Sequence, residues 1–162
     1  MATQVKAIPT GFHSITPMLT VREPDKAIDF YKRALGAEER SRFKGPDGKS
    51  IMHAELKVGD STIMLGGEQA EQGCRSPQTL GGTPVTLYLF VEDVDKAFNR
   101  AVSAGATVAM PVADMFWGDR CGQVADPFGH KWFLATHKED LSQEEIQKQG
   151  QAFFVKMAKK SA

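Results

Sequence analysis

The stretch Ile15–Ile28, ITPMLTVREPDKAI, recurs at Val85–Phe98 as VTLYLFVEDVDKAF, seventy positions further along the chain. A threonine, a leucine, a valine and the run Asp-Lys-Ala stand at matching positions in the two copies. Each copy continues to a small glycine-containing stop, Leu35–Ala37 and Ala104–Ala106, where the offset has become sixty-nine. Self-similarity over such a length indicates two copies of one structural unit. The chain is therefore predicted to consist of two similar modules.

Each module is predicted to be a βαβββ unit. The first segment of each repeat is rich in β-branched and apolar residues, which is typical of a strand. A helix follows, with Pro24 suited to the first helical position of one copy and Asp93 suited to cap the other. Three shorter strands complete the unit, with Gly45–Gly48 and Gly59–Asp60 as hairpin turns in the first copy. The predicted fold class is α+β, with two tandem βαβββ modules forming curved mixed sheets around a concave cavity.

These patterns also divide the chain into four segments: a first module over 12–66, a linker over 67–82, a second module over 83–137 and a helical tail over 138–162. The linker is rich in glycine, glutamine and proline, so we expect it to be flexible. In the tail, Ser142 and Glu145 have the spacing of a capping box, which predicts the start of a C-terminal helix.

Composition and charge exclude several classes of function. The 162 residues carry 20 Lys plus Arg against 20 Asp plus Glu, so no broad basic field favours nucleic acid or an anionic membrane. No stretch approaches the length of about 18 apolar residues that a membrane span needs. Two cysteines cannot form a disulfide framework. We expect a cytoplasmic protein without a nucleic-acid or membrane partner.

The repeat, the acidic turn before each helix and the Asp-Pro-Phe-Gly-His turn at Asp126–His130 resemble the vicinal oxygen chelate superfamily. This superfamily includes glyoxalase I, the bleomycin and fosfomycin resistance proteins and the extradiol dioxygenases. The resemblance covers about Phe12–Asp140, and Val108–Asp140, with Met115–Arg120 inside it, is similar to the PhnB-like branch. It implies the glyoxalase/bleomycin-resistance fold. It also implies a homodimer, because superfamily members commonly complete their cavities by pairing modules between chains.

Metal-using members of this superfamily bind a divalent ion through the first and last strands of each module. Carried over by the resemblance, those positions are Thr16, Met64, Thr86 and Phe133. A hard divalent ion needs carboxylate or imidazole ligands, which a thioether and a phenyl ring cannot replace. We therefore expect no metal and no other cofactor at the usual position. A divalent ion at a displaced position is the alternative.

Two titratable residues of the third strand are the candidate catalytic residues. Strand alternation places Met52, Ala54 and Leu56 toward the helix and leaves His53 and Glu55 on the concave face. An imidazole and a carboxylate on one face could transfer a proton or bind a displaced metal ion together. The structural alternative is a hydrogen-bonded or partly exposed pair without a catalytic role.

The candidate ligand-binding residues come from the second module. Alternation places Tyr88, Phe90 and Phe133 on the concave face, where aromatic walls suit a small organic ligand. Trp117 would stack on the ligand or plug the core. Arg120 would anchor an anionic ligand, or else would stabilise its loop by pairing with Asp119 or Asp126.

The other histidines and Cys121 are given structural roles. His13 and His137 flank the modules and are expected to be surface residues, and His130 is expected to serve only the geometry of its turn. Cys121 has no histidine near it in sequence and is expected to pack.

The sequence thus predicts a small-molecule-binding protein of this superfamily without the usual divalent-metal centre, whose ligand is small, organic and, if Arg120 anchors it, anionic. The alternative is a glyoxalase-type lyase, isomerase or transferase that uses His53 and Glu55 as acid and base or as metal ligands.

Overall fold

The computed structural model describes residues 5–160, in which two βαβββ units follow one another. The first unit comprises β1 (Met18–Val21), α1 (Pro24–Leu35), β2 (Glu38–Lys44), β3 (Ile51–Val58) and β4 (Ser61–Gly67). A short helix, α2 (Pro77–Leu80), lies between the units. The second unit comprises β5 (Thr86–Phe90), α3 (Val94–Ala104), β6 (Thr107–Asp114), β7 (Asp119–Ala125) and β8 (Lys131–His137). A last helix, α4 (Gln143–Lys160), follows.

Each unit forms its own four-stranded mixed sheet, in the order β1-β4-β3-β2 and β5-β8-β7-β6. The first strand of each unit runs parallel to the last strand of the same unit. Met18 therefore pairs with Met64, and Tyr88 pairs with Phe133. The other neighbouring strands are antiparallel. Within residues 5–160 no strand pair joins the two sheets. The predicted α+β fold class with two tandem βαβββ units is confirmed.

The two long helices of the units begin and end where the sequence predicts. Pro24 is the first residue of α1, and the Asp93 side chain caps α3 by accepting a hydrogen bond from the Lys96 backbone N–H. Both helices end at a glycine in the left-handed backbone region, Gly36 and Gly105. These local signals are sufficient because the Asp93 side chain and the two glycine N–H groups pair with backbone groups that a helix end leaves unpaired. Pro24 acts differently, since it lacks the N–H that the first helical position would leave unpaired.

The core lies between the two units. Each helix packs on one face of its own sheet, and α1 and α3 also contact each other. The Arg100 guanidinium of α3 donates to the backbone carbonyl oxygens of Arg33 and Lys32 at the end of α1, at 2.6 and 3.1 Å. Because the helices meet, one continuous group of buried side chains serves both units.

The Asp-Pro-Phe-Gly-His turn carries a buried carboxylate that joins the units. Asp126 Oδ2 accepts hydrogen bonds from the Tyr31 hydroxyl of α1 at 2.7 Å and from the Trp132 indole of β8 at 2.9 Å. Its Oδ1 accepts from the backbone N–H groups of Phe128 and His130. Burial, and then the Asp126 carboxylate, raise the pKa of Tyr31 well above its usual value, so the phenol remains a donor.

The segment between the units is more ordered than its composition predicts. It contains a 3₁₀ turn at Ala70–Gln72 and the helix α2, and Ser76 is fully buried. The Glu68 carboxylate accepts from the Ser76 backbone N–H at 2.8 Å and its hydroxyl at 2.6 Å, and also from the Thr79 hydroxyl. These hydrogen bonds, which composition does not reveal, connect the two ends of the segment.

The tail contains the predicted helix. The Ser142 hydroxyl accepts from the Glu145 backbone N–H at 3.2 Å while the Glu145 carboxylate accepts from the Ser142 N–H at 2.8 Å, which confirms the capping box. The helix α4 places Gly150 against the Phe116 ring and leaves Phe154 largely exposed. Residues 161–162 of the predicted tail lie outside the described residues. Across residues 5–160, neither α4 nor any shorter helix combines the length and the apolar character that crossing a membrane requires.

Candidate functional site

The face of the second sheet that points away from α3 carries a row of aromatic side chains, which we call the aromatic face. Phe90, Tyr88 and Phe133 form it, with ring centroids 5.0 Å apart between Tyr88 and Phe90 and 5.4 Å apart between Tyr88 and Phe133. The intervening residues Leu87 and Leu89 pack against the core. Tyr88 is 43% exposed and Phe90 59% exposed, so the aromatic face is open in the single chain.

Asp119, the first residue of β7, holds three polar side chains together at one end of the aromatic face. Its Oδ2 accepts hydrogen bonds from the Tyr88 hydroxyl at 2.9 Å and from the Trp117 indole N–H at 3.1 Å. Its Oδ1 lies 2.8 Å from Nδ1 of His137 on β8. Asp119 is only 7% exposed, so its carboxylate is satisfied by these donors rather than by bulk water. It thereby fixes the orientation of the phenol, the indole and the imidazole.

The imidazole of His137 lies between two carboxylates. Its Nε2 is 2.9 Å from Asp140 Oδ1, on the segment that follows β8. The hydrogen bond with Asp119, and then that with Asp140, raise the pKa of His137 above its usual value. The pair of carboxylates therefore favours the doubly protonated ring, which donates from both nitrogens.

The neighbouring phenol and thiol are held in their protonated forms. Burial, and then the hydrogen bond to Asp119, raise the pKa of Tyr88 well above its usual value. Burial likewise raises the pKa of the Cys121 thiol, which is fully enclosed next to the phenol. A thiol of this kind is a poor nucleophile, which agrees with the packing role expected for Cys121.

Arg120, predicted as the anion anchor, is directed toward α3 and away from the aromatic face. Its Nε and Nη2 each lie 2.8 Å from a carboxylate oxygen of Asp95 on α3, and its Nη1 lies 3.1 Å from Asp114 of β6. The hydrogen bond from Arg120 lowers the pKa of Asp95. The partners of Arg120 are thus Asp95 and Asp114, and neither Asp119 nor Asp126, the partners considered from the sequence, binds it.

Trp117 lies in the turn between β6 and β7, at the end of the aromatic face that carries Asp119. Its ring is half-buried and contacts Phe116 edge-on, with centroids 5.0 Å apart. The structure therefore brings Tyr88, Phe90, Phe133 and Trp117 together on one side of the second sheet and excludes Arg120 from that group.

His53 and Glu55 lie on the first sheet, on the face that points away from α1. Their Nε2 and Oε1 atoms are 3.5 Å apart, and both side chains are about one-third exposed or less, at 32% and 27%. Ala54 and Leu56, which alternate with them, are fully buried. Among the described residues no strand pair joins the sheet that carries His53 and Glu55 to the sheet that carries the aromatic face.

The positions at which the superfamily binds a divalent ion do not suit one here. Thr16 precedes β1 and donates to the backbone carbonyl of His13, Met64 pairs with Met18, and Phe133 stacks on Tyr88. None of these side chains, nor Thr86, offers an imidazole or a carboxylate. Across residues 5–160 there is also no group of three or more His, Cys, Asp or Glu side chains arranged to hold a metal ion.

Sequence reasoning missed Asp119 and His137 as site residues. His137 is on the surface, as expected, yet it is bound to a buried carboxylate. The signal was available in strand alternation, since Phe133, Ala135 and His137 share one face of β8. Asp119 is the register partner of His137 on β7, and Cys121 is that of Ala135. Extending the alternation to the ends of both strands would have placed the pair beside Phe133.

Two tandem βαβββ units, each with one helix-free sheet face, define a protein of the glyoxalase and bleomycin-resistance class. The family model of the Glyoxalase/Bleomycin resistance protein/Dioxygenase superfamily matches residues 11–134, and the chain belongs to that superfamily. The superfamily expected from the repeat is thus confirmed. The matched range ends before α4 begins.

Comparisons with individual proteins agree with this assignment. An uncharacterised protein of Mycobacterium tuberculosis is 46% identical over 138 residues, which cover 83% of this chain and 80% of the relative. The crystal structure of TioX from a Micromonospora species has a TM-score of 0.61 and 28% identity, over 80% of this chain and 100% of TioX. The PhnB protein of Bacillus cereus has a TM-score of 0.59 and 18% identity, over 76% of this chain and 99% of that chain. This last likeness concerns the fold alone.

Proposed function

We propose that this protein binds a small organic ligand on its aromatic face without using the usual divalent-metal centre of the superfamily. The observation that carries the proposal is the exposure of Tyr88 and Phe90 beside side chains that the buried Asp119 holds in place. Exposed aromatic surface next to oriented polar groups is typical of a binding site, because apolar walls supply affinity and polar groups fix orientation.

We further propose a homodimer in which the first-unit face of one chain covers the aromatic face of another. The helix-free face of the first sheet is also open, with Met18 59% and Phe43 66% exposed. Two open faces on one chain suit pairing with a second copy, since this would remove both apolar surfaces from water. We also propose that the protein belongs to the PhnB-like branch of the superfamily and that it is cytoplasmic.

The proposal is tested with 2-naphthamide, an uncharged aromatic probe, and with the mass of the particle in solution. We expect naphthamide to shift the NMR signal of the Trp117 indole N–H, and Phe90→Ser to weaken its binding about tenfold through loss of apolar contact. Phe154→Ser is the matched control, because Phe154 is similarly exposed at 61% but lies on α4. Light scattering should give twice the chain mass of 17.7 kDa.

Equal weakening by the two serine variants would contradict binding at the aromatic face. A particle mass of a single chain would contradict the homodimer.

The second candidate function is a glyoxalase-type lyase, isomerase or transferase that uses His53 and Glu55. The observation in its favour is their separation of 3.5 Å on one half-buried face, which could transfer a proton or share a displaced metal ion. A divalent ion that binds the native chain would raise the melting temperature. His53→Ala would remove that increase while His13→Ala would retain it. Melting temperatures unchanged by divalent ions would exclude the metal-dependent form of this function.

A further inference from the structure

The ring nitrogen of His137 that points away from the buried Asp119 is hydrogen-bonded to a second carboxylate of the same chain. Its Nδ1 is held by the buried Asp119 at 2.8 Å, whereas its Nε2 is bound by Asp140 at 2.9 Å. The imidazole is half-exposed and the Asp140 side chain is fully exposed. Departure of Asp140 would therefore uncover a charged donor at the protein surface and would leave no buried carboxylate unpaired.

The imidazole of His137 lies on the same face of the second sheet as the aromatic rings. Ala135 lies two residues before His137 on β8 and is the register partner of Phe90 on one side and Cys121 on the other. Two residues of a strand span about 7 Å. The small side chain of Ala135 leaves Phe90 and Tyr88 as the apolar surface next to His137. An aromatic molecule on these rings would bring a substituent within reach of the imidazole.

Three other cations to consider in the second unit differ from His137. One of them, Lys138, lies near Asp95 of α3, whose pKa it helps Arg120 to lower. The guanidinium of Arg120 is directed to α3 and is bound by Asp95 and Asp114. Lys131 is exposed on the same face of β8 as Phe133, but it lies at the opposite end of the strand, where it borders the cleft beside α2. Lys131 therefore lies away from the polar cluster around Asp119 and provides a matched control.

We propose that His137 is the anion anchor of the aromatic face, that Asp140 occupies it as an internal competitor, and that an aromatic carboxylate displaces Asp140 while its ring lies against Phe90 and Tyr88. This inference rests on the proposed ligand site and specifies its ligand class. Asp119 positions the imidazole, and the ligand carboxylate accepts the hydrogen bond that Asp140 accepts in the chain alone.

The test compares 2-naphthoate with 2-naphthamide, which has nearly the same shape and no charge, in NMR titrations at about pH 5.5, where the imidazole stays protonated when Asp140 is replaced and naphthoate stays ionised. We expect the intact protein to prefer naphthoate. Asp140→Asn removes the competing charge and should strengthen naphthoate binding about three- to fivefold, as expected for an exposed ion pair, with little effect on naphthamide. His137→Gln should remove the preference for naphthoate, whereas Lys131→Gln, which loses a charge from the same face, should retain it.

A purely structural role for the Asp140–His137 contact predicts that Asp140→Asn leaves naphthoate binding unchanged or weakens it, and either result would overturn the inference. Loss of the preference in Lys131→Gln but not in His137→Gln would overturn it as well. Equal affinity of the intact protein for both probes would leave the proposed ligand site intact and reject the anion anchor. Binding of neither probe would reject the proposed site itself.

Discussion

The pKa of His137 depends on the two carboxylates that contact its imidazole. Asp119 approaches from β7 and Asp140 from the segment after β8, so two carboxylates stabilise the charged imidazole. A group whose pKa is raised in the folded protein stabilises the fold in its protonated form. The stabilising effect is fully present below the unfolded-state pKa of about 6.5 and is lost as the pH rises through the folded-state pKa.

We therefore expect the free energy of unfolding of the intact protein to exceed that of His137→Gln by more at about pH 6 than at about pH 9. Urea denaturation of both proteins at each pH measures the difference, and subtracting the variant cancels the titration of unrelated groups. A difference between the two proteins that is the same at both pH values, or larger at the higher one, would contradict the ion-pair interpretation.

At the scale of elements, the turn between β6 and β7 positions Trp117 and Asp119. Gly118 lies in this turn with φ +98°, and its carbonyl accepts from the backbone N–H groups of Lys138 and Glu139 at 2.9 and 3.0 Å. A Cβ at this position would come within 2.3 Å of the Glu139 carbonyl oxygen. The turn is therefore closely packed against the segment that carries Asp140.

Gly118→Ala is expected to destabilise the protein by more than about 2 kcal/mol, because it adds a backbone clash to an unfavourable φ. Gly48→Ala is the matched control, since Gly48 also has a positive φ, +66°, but nothing lies within 4 Å of its added Cβ. It should cost only about 1 kcal/mol, the cost of the backbone conformation alone. Urea denaturation of both variants tests this, and similar losses would show that the contact with Glu139 relaxes freely.

Helices and strands were the most predictable elements. The start of α1 follows from Pro24 at its first position, and the starts of α3 and α4 follow from the capping side chains of Asp93 and Ser142. Each of these signals lies within a few residues, so the sequence contains the whole interaction. The path of the segment between the units was not predictable in this way. Its order depends on Glu68 reaching Ser76 and Thr79 across a turn, and composition alone does not show such contacts.

At the scale of the whole molecule, the two units share a core and are joined by a buried hydrogen bond. Tyr31 of the first unit is fully buried and donates to Asp126 of the second at 2.7 Å. Tyr88 makes the same kind of bond to Asp119 at 2.9 Å but is 43% exposed. The two phenols therefore allow a matched comparison of a fully buried and a partly buried hydroxyl–carboxylate hydrogen bond.

Tyr31→Phe is expected to lower the free energy of unfolding by about 1 to 3 kcal/mol, because it leaves a buried carboxylate short of a donor. Tyr88→Phe should cost less, about 1 kcal/mol, because the hydrogen bond that it removes is only partly buried, although the Asp119 carboxylate itself is shielded from water. Both values come from urea denaturation at neutral pH. If Tyr88→Phe lowered the free energy of unfolding as much as Tyr31→Phe, the argument that burial of the hydrogen bond sets its contribution would be contradicted.

The sequence by itself determined the doubled βαβββ unit, the helix ends and the faces on which His53, Glu55, Tyr88 and Phe133 lie, because these follow from short-range periodicity and capping. Only the tertiary structure decided the partners of charged side chains. Arg120 pairs with Asp95, twenty-five residues away, and His137 pairs with Asp119 across two strands. The physical reason is that strand alternation gives the face on which a side chain lies, whereas strand register and helix packing decide which complementary group comes within its reach.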